Sequence, residues 1–222
     1  MATWKGSIQS PIVTQRYLNT AAWAGDPAPG AIVSTADVSG SIVQDYAGMI
    51  GGILTLNEKD AKYYRDPASA ALYAGDYQYV KFYASSSAAA AVQGQVVFWQ
   101  TLLNDEWTVT PDYSSAKSGQ IAGIALCNTA KGKYWFIQIA GVAEVKFAAS
   151  LGASTPAVGD LVFVDYSADT FYGYVPLQSK NDFTAEELKQ VLGVAWGTIP
   201  AAGVVSPVLL GGLSGAKYYP GG

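Results

Sequence analysis

The chain has 222 residues, of which 14% are charged, and its formal net charge is -4 at pH 7. This balance provides no basic surface of the kind that binds nucleic acid, so that class of protein is disfavoured. Histidine is absent and Cys127 is the only cysteine, which removes the commonest general base, the commonest zinc ligand and any intrachain disulfide. We find no signal-peptide pattern and no apolar run of the roughly 18 residues that a membrane span needs.

The first part of the chain, residues 1–56, has single apolar residues separated by Gly, Pro and Ser, and no helical period persists. We interpret it as an irregular N-terminal arm that lies on a neighbouring subunit, with Trp4, Tyr17 and Trp23 as the contacts. The alternative is a set of short strands and loops that belongs to the main domain. Residues 57–93 are predicted to form a connecting segment.

From residue 75 onward, short apolar segments alternate with turns, a pattern typical of a β-sandwich or β-barrel. We assign a β domain to residues 94–222. One short helix is predicted over 183–192, where Thr184 and Glu187 have the spacing of a capping box.

The β domain contains an internal duplication. "GQVVFW" begins at Gly94 and "GDLVFV" begins 65 residues later at Gly159, whereas "GIAL" at Gly123 returns 70 residues later as "GVAW" at Gly193. The same two shifts relate four further pairs: Trp107 and Tyr172, Pro111 and Pro176, Ile139 and Leu209, and Gly141 and Gly211. Each unit is too small to bury its own apolar face, so the fold class is mainly β, barrel-like or sandwich-like, built from two duplicated units.

One predicted strand is apolar on both faces. In "KYWFIQI", Trp135 and Ile137 alternate with Tyr134 and Phe136, and no charged residue marks a solvated face. Either another subunit or the N-terminal arm covers the second face, which makes Tyr134 and Phe136 interface residues, or one chain encloses the strand on both sides.

Candidates for chemistry are few. Cys127 lacks the histidine that a catalytic thiolate normally uses. The carboxylates that could bind calcium are interpreted as solvated turn residues: Asp160, Asp165 and Asp169. We therefore predict no enzyme, no cofactor and no metal site. Aromatic side chains that could stack on sugar rings are Trp99, Trp107, Tyr166 and Tyr172.

The runs "AGIALCNTAKGKYWFIQIAGVAEV", "PAVGDLVFVD" and "LGVAWGTIPAAG" resemble head decoration (cement) proteins of tailed bacteriophages. The similarity covers about residues 94–212. It implies a non-enzymatic homotrimer, made in the host cytoplasm, that binds the major capsid protein between capsomers on the outside of the shell and stabilises it. Nucleic acid and membrane are not expected partners. The alternative is a glycan- or cell-surface-binding module of a tail or fibre protein.

Overall fold

The structure is a computed structural model that describes residues 3–5, 51–65, 67, 71–83, 90–100, 107–112, 121–147, 157–164, 173–174, 191–198 and 204–211. These residues form eleven strands and one helix. In chain order the elements are β1 (Thr3–Lys5), β2 (Ile53–Leu56), α1 (Glu58–Tyr63), β3 (Gly75–Phe82), β4 (Val96–Trp99), β5 (Thr108–Thr110), β6 (Ile121–Ala125), β7 (Tyr134–Lys146), β8 (Leu161–Val164), β9 (Gly173–Tyr174), β10 (Val191–Ala195) and β11 (Val205–Leu210).

Five strands close into a barrel, so the mainly β, barrel-like prediction is confirmed. The order around the barrel is β3, β5, β4, β6 and β7, and β7 returns to pair with β3. The β3–β5 pair is parallel and the other four pairs are antiparallel. Because the barrel is closed, these strands have no free edge where they pair. Their segments are rich in β-branched and aromatic residues, which favour strands.

The second unit repeats the strand order of the first. In the first unit the neighbours are β5–β4–β6–β7, and in the second they are β9–β8–β10–β11. Both units have a register shift at the same place in the second pair, where the first unit skips Ala122 and the second skips Leu192. The equivalent pairs are Val97–Gly123 and Val162–Gly193 before the shift, and Phe98–Ile121 and Phe163–Val191 after it. The predicted duplication of β units therefore has a structural counterpart.

Two strands differ from the predicted offsets by one residue. Val109 and Gly173 occupy equivalent pairing positions, so the offset in β5 and β9 is 64 residues and not 65. Gln138 and Leu209 are also equivalent, which makes the offset 71 in this part of β7 and β11. The register of β7 against β3 shifts beside Gln138, and this irregularity explains why the sequence match after it has a different spacing.

Strand β7 is shared by the two units. Its first half pairs with β3 and β6, and its second half pairs with β11. The second half of β7 is to the second unit what β3 is to the first. Val80 of β3 pairs with Trp135 of β7, and Val145 of β7 pairs with Ser206 of β11 in the same way. The same three residues, Val-Lys-Phe, occur at 80–82, where β3 ends, and at 145–147, where Phe147 directly follows β7. The first unit therefore begins at β3, and the second begins within β7.

The predicted domain boundaries do not match this sheet. Residues 53–56, assigned to the arm, form β2, which pairs with β3 and buries Leu54 and Leu56. Within 57–93, assigned to a connecting segment, β3 is a strand of the closed barrel. Local patterning indicated strands from residue 75 onward, but it did not assign β2 and β3 to the β domain, because both strands pair with partners that are distant in sequence.

The helix prediction is also wrong at its end. Val191 and Leu192 belong to strand β10, and both are buried. The apolar pair that completes a helical pattern equally fits a core strand. The rest of that segment, 183–190, lies outside the described residues. The described helix is α1, and its N-cap is Asn57, whose side chain accepts hydrogen bonds from the backbone N–H groups of Lys59 and Asp60.

Candidate interaction surface

The second face of β7 is covered by the same chain. Phe136 is 0% exposed and Tyr134 is 9% exposed. The ring of Tyr79, on the neighbouring strand β3, lies 5.2 Å from the Phe136 ring and 6.3 Å from the Tyr134 ring, measured between centroids. The alternative in which one chain encloses both faces therefore describes this strand, and Phe136 leaves no surface for a partner.

The other three predicted contact residues lie in or near the N-terminal segment. Trp4 is on β1, opposite Leu54 of β2. Tyr17 and Trp23 lie outside the described residues. Lys5 and Ile53 are paired directly, so the two described residues that flank this part of the chain lie side by side in the sheet. The segment that contains Tyr17 and Trp23 is therefore attached to the sheet at both of its ends.

The carboxylate of Glu144 makes a hydrogen bond within the fold. The hydroxyl of Tyr73 donates a hydrogen bond of 3.1 Å to Oε1 of Glu144. Burial raises the pKa of Glu144, while the Tyr73 hydrogen bond and the charge of Arg65 oppose the rise. Burial, together with the Glu144 charge, raises the pKa of Tyr73 to about 12. This pair joins the segment before β3 to β7 and has the form of a structural contact.

Cys127 is a structural residue. It is 2% exposed, and burial raises the pKa of its thiol to about 12. Its sulfur lies 3.8 Å from the Thr129 hydroxyl. A thiol with that pKa is protonated at neutral pH, so it lacks the thiolate that nucleophilic catalysis requires.

Asp160 caps a turn. Its carboxylate accepts a hydrogen bond of 2.8 Å from the backbone N–H of Ala157. Asp165 and Asp169, the other carboxylates considered for calcium, lie outside the described residues. Among the residues that the structure describes, no group of three or more potential metal ligands is present, and no helix is long and apolar enough to cross a membrane.

The tryptophans considered for sugar binding pack against each other. Trp99 is 4% exposed, and its ring contacts the ring of Trp107 edge-on at 5.7 Å. Trp107 has φ of 44° and lies against Gly51, where any side chain would overlap its indole ring. Trp99 therefore belongs to the core, and the partly buried Trp107 packs against it, so the pair does not form an exposed platform. Tyr166 and Tyr172 lie outside the described residues.

An exposed apolar patch lies at one end of the second unit. Val158 is 63% exposed and Trp196 is 57% exposed. Their backbones are close, because the residue after Val158 is hydrogen bonded to the residue before Trp196, from Gly159 N to Ala195 O, at 2.9 Å. Sequence reasoning missed this patch. The duplication could have revealed it. The shift of 65 residues relates Val158 to Gln93, and the shift of 70 relates the exposed Trp196 to the buried Leu126.

Comparisons with known proteins give no further guidance, because no family model, no curated protein and no solved structure matches this chain.

Proposed function

We propose that the protein is a structural component of a virion, a non-enzymatic decoration protein that forms homotrimers, binds the major capsid protein between capsomers and stabilises the shell. The resemblance of residues 94–212 to bacteriophage decoration proteins suggests this role. The low charge and the high content of Tyr and Trp fit a protein that buries surface against other chains.

One structural observation carries the proposal: both ends of the segment 6–50 are held at adjacent positions of the sheet, at Lys5 and Ile53. A segment attached in this way begins and ends at one place on the sheet. Tyr17 and Trp23 lie within it and supply large apolar side chains. The segment is therefore suited to act as an arm that reaches a neighbouring subunit.

The energetic argument is a balance of entropy and burial. Ordering one residue costs roughly 1–2 kcal/mol of backbone conformational entropy. Full burial of a large apolar side chain contributes about 1.5–3 kcal/mol. Residues 6–50 have few consecutive apolar positions, so pockets on another chain are the natural source of the missing burial. Anchoring at both ends reduces the entropy that binding has to offset.

The test is binding to shells assembled from the major capsid protein of the same source. The purified chain is mixed with shells and sedimented, and its mass in solution is measured by light scattering after size exclusion. We expect a homotrimer that sediments with shells, and weaker binding when Tyr17 and Trp23 are both replaced by Ala. Tyr63→Ala is the control, because Tyr63 is a 64% exposed aromatic residue on α1, outside the arm.

A monomer that does not bind shells would overturn the proposal, and selective binding to a glycan array by that monomer would favour the glycan-binding alternative. Equal shell binding by the arm variant and the control would retain the capsid role but remove the arm from it.

A further inference from the structure

The two units differ in what lies against one equivalent turn. In the first unit this turn contains Gly94, and the N–H of Lys146 donates a hydrogen bond of 2.8 Å to the Gly94 carbonyl. A Cβ on Gly94 would lie 2.9 Å from Lys146 N and 3.2 Å from Glu144 O. In the second unit the equivalent residue is Gly159, and no atom of the described residues lies within 4 Å of its Cβ position.

The turns themselves are the same, so the difference lies in the neighbour. Gly94 and Gly159 have φ of 78° and 91°, and each donates a hydrogen bond of 2.9 Å to the alanine that ends the strand opposite, Ala125 or Ala195. The residue after each of these alanines is apolar: Leu126 is 7% exposed and Trp196 is 57% exposed. The second unit thus repeats the surface that the first unit covers, but none of the described residues covers it there.

The element that covers the first unit is the chain that follows its last strand. Gly141 ends that part of β7 with φ of 87°, and the next five residues lead to Lys146 beside Gly94. Glu144, in the same stretch, lines a small cleft together with Gln93 and Leu126. Extended backbone from the next strand is therefore what this surface accepts.

The chain that follows the second unit repeats this element. Gly211 ends β11 with φ of 80°, as Gly141 does in the first unit. After it, "AKYY" at 216–219 corresponds to "VKFA" at 145–148 and to "VKFY" at 80–83. The distance from the glycine to the lysine is one residue longer at the C-terminus. Its Lys217 thus corresponds to Lys146, and Gly215 to Glu144.

We propose that residues 212–219 of the same chain dock as an extended segment on the surface formed by Val158, Gly159 and Trp196, with the N–H of Lys217 donating to the Gly159 carbonyl. The occupant follows from the intrachain contact of the first unit, which joins the same turn to the same sequence pattern. The inference does not depend on a virion role.

A pair of cysteines tests the placement in the full chain. The first variant combines Val158→Cys with Gly215→Cys, because Val158 corresponds to Gln93 and Gly215 to Glu144, which line one cleft in the first unit. We expect mild oxidation to join these two cysteines within one chain in most molecules. The matched control is Val158→Cys with Ala216→Cys, because Ala216 corresponds to Val145, whose side chain is buried on the other face of β7. The linkage is identified by mass spectrometry of the unreduced digest.

Equal linkage in the two pairs, or linkage mainly between chains, would overturn the proposal. A second measurement needs no new cysteines. Trypsin cleavage after Lys217 should become at least about fivefold faster in Trp196→Ser, because docking protects the segment from local opening. Tyr63→Ser, which changes another exposed aromatic residue, should leave the rate unchanged. Equal cleavage rates in wild type and Trp196→Ser would also contradict the proposed docking.

Discussion

Replacing Phe136 by Ala tests whether one chain alone covers the second face of β7. The side chain is fully buried, and its ring lies 5.2 Å from Tyr79 and 6.0 Å from Trp135. Truncation of a buried Phe to Ala typically costs about 3–5 kcal/mol, of which the lost aromatic pairs account for roughly 0.5–1.5 kcal/mol each. We expect a loss of this size in the free energy of unfolding, measured by urea titration with circular dichroism.

Measuring this loss at two protein concentrations distinguishes a Phe136 side chain covered by its own chain from one covered by another subunit. If the chain itself covers Phe136, the loss is the same at about 1 and 100 µM protein, whereas an interface residue would show a loss that depends on concentration. Tyr63→Ala is the control and should change the free energy by less than about 0.5 kcal/mol. Should the Ala variant fail to fold, Phe136→Leu provides a milder change. A loss that appears only at high concentration would refute the intrachain assignment.

Three further predictions concern single residues. The thiol of Cys127 should react with a disulfide reagent at about pH 8 at least a hundredfold more slowly in the folded chain than in urea, because its pKa is about 12; equal rates would contradict its burial. Burial raises the pKa of Glu144 in the folded chain above the value of 4.5 that applies to the unfolded chain. Because the folded chain then binds the proton more tightly, the contribution of Glu144 to the free energy of unfolding falls as pH rises from the unfolded to the folded pKa. Glu144→Gln should lack that fall in urea titrations between about pH 4 and pH 7, and an unchanged slope would exclude this group as its source. Gly193→Ala should cost about 2–3 kcal/mol, since the added Cβ would overlap the Leu209 carbonyl oxygen, whereas Gly197→Ala should cost less than about 1 kcal/mol; equal losses on urea unfolding would show that the backbone can separate there.

The duplication could be predicted from sequence because it depends on glycine. Gly94 and Gly159 adopt positive φ at equivalent turns, and Gly141 and Gly211 do so at equivalent strand ends. Side chains are disfavoured at such positions, so the same residue recurs at a nearly fixed spacing. Strand order then followed, since two units with the same sequence of turns and strands are expected to pair in the same way.

The covering of β7 could not be predicted in this way. Trp135 and Phe136 show that both faces of the strand are buried, but not by what. Part of the burial of Phe136 comes from Tyr79, which is more than fifty residues away in sequence and lies beside Phe136 only because β3 and β7 pair. A long-range pair of this kind leaves no periodic signal near either strand. The same reason explains why β3 was assigned to a connecting segment and not to the first unit.

Strand β7 ends the first unit and begins the second, so the two units follow each other without a linker. The last strand of the first unit continues into an element that lies on that unit, since the stretch from Gly141 to Lys146 lies against the turn of Gly94. In the second unit no described residue lies against the equivalent turn at Gly159, and Trp196 beside it is exposed. Repeat proteins meet this problem with a terminal capping element, because an uncapped end exposes apolar surface. If residues 212–219 dock as proposed, they are such a cap, and Lys217 retains the pattern of the strand that it replaces because it makes the same backbone contact.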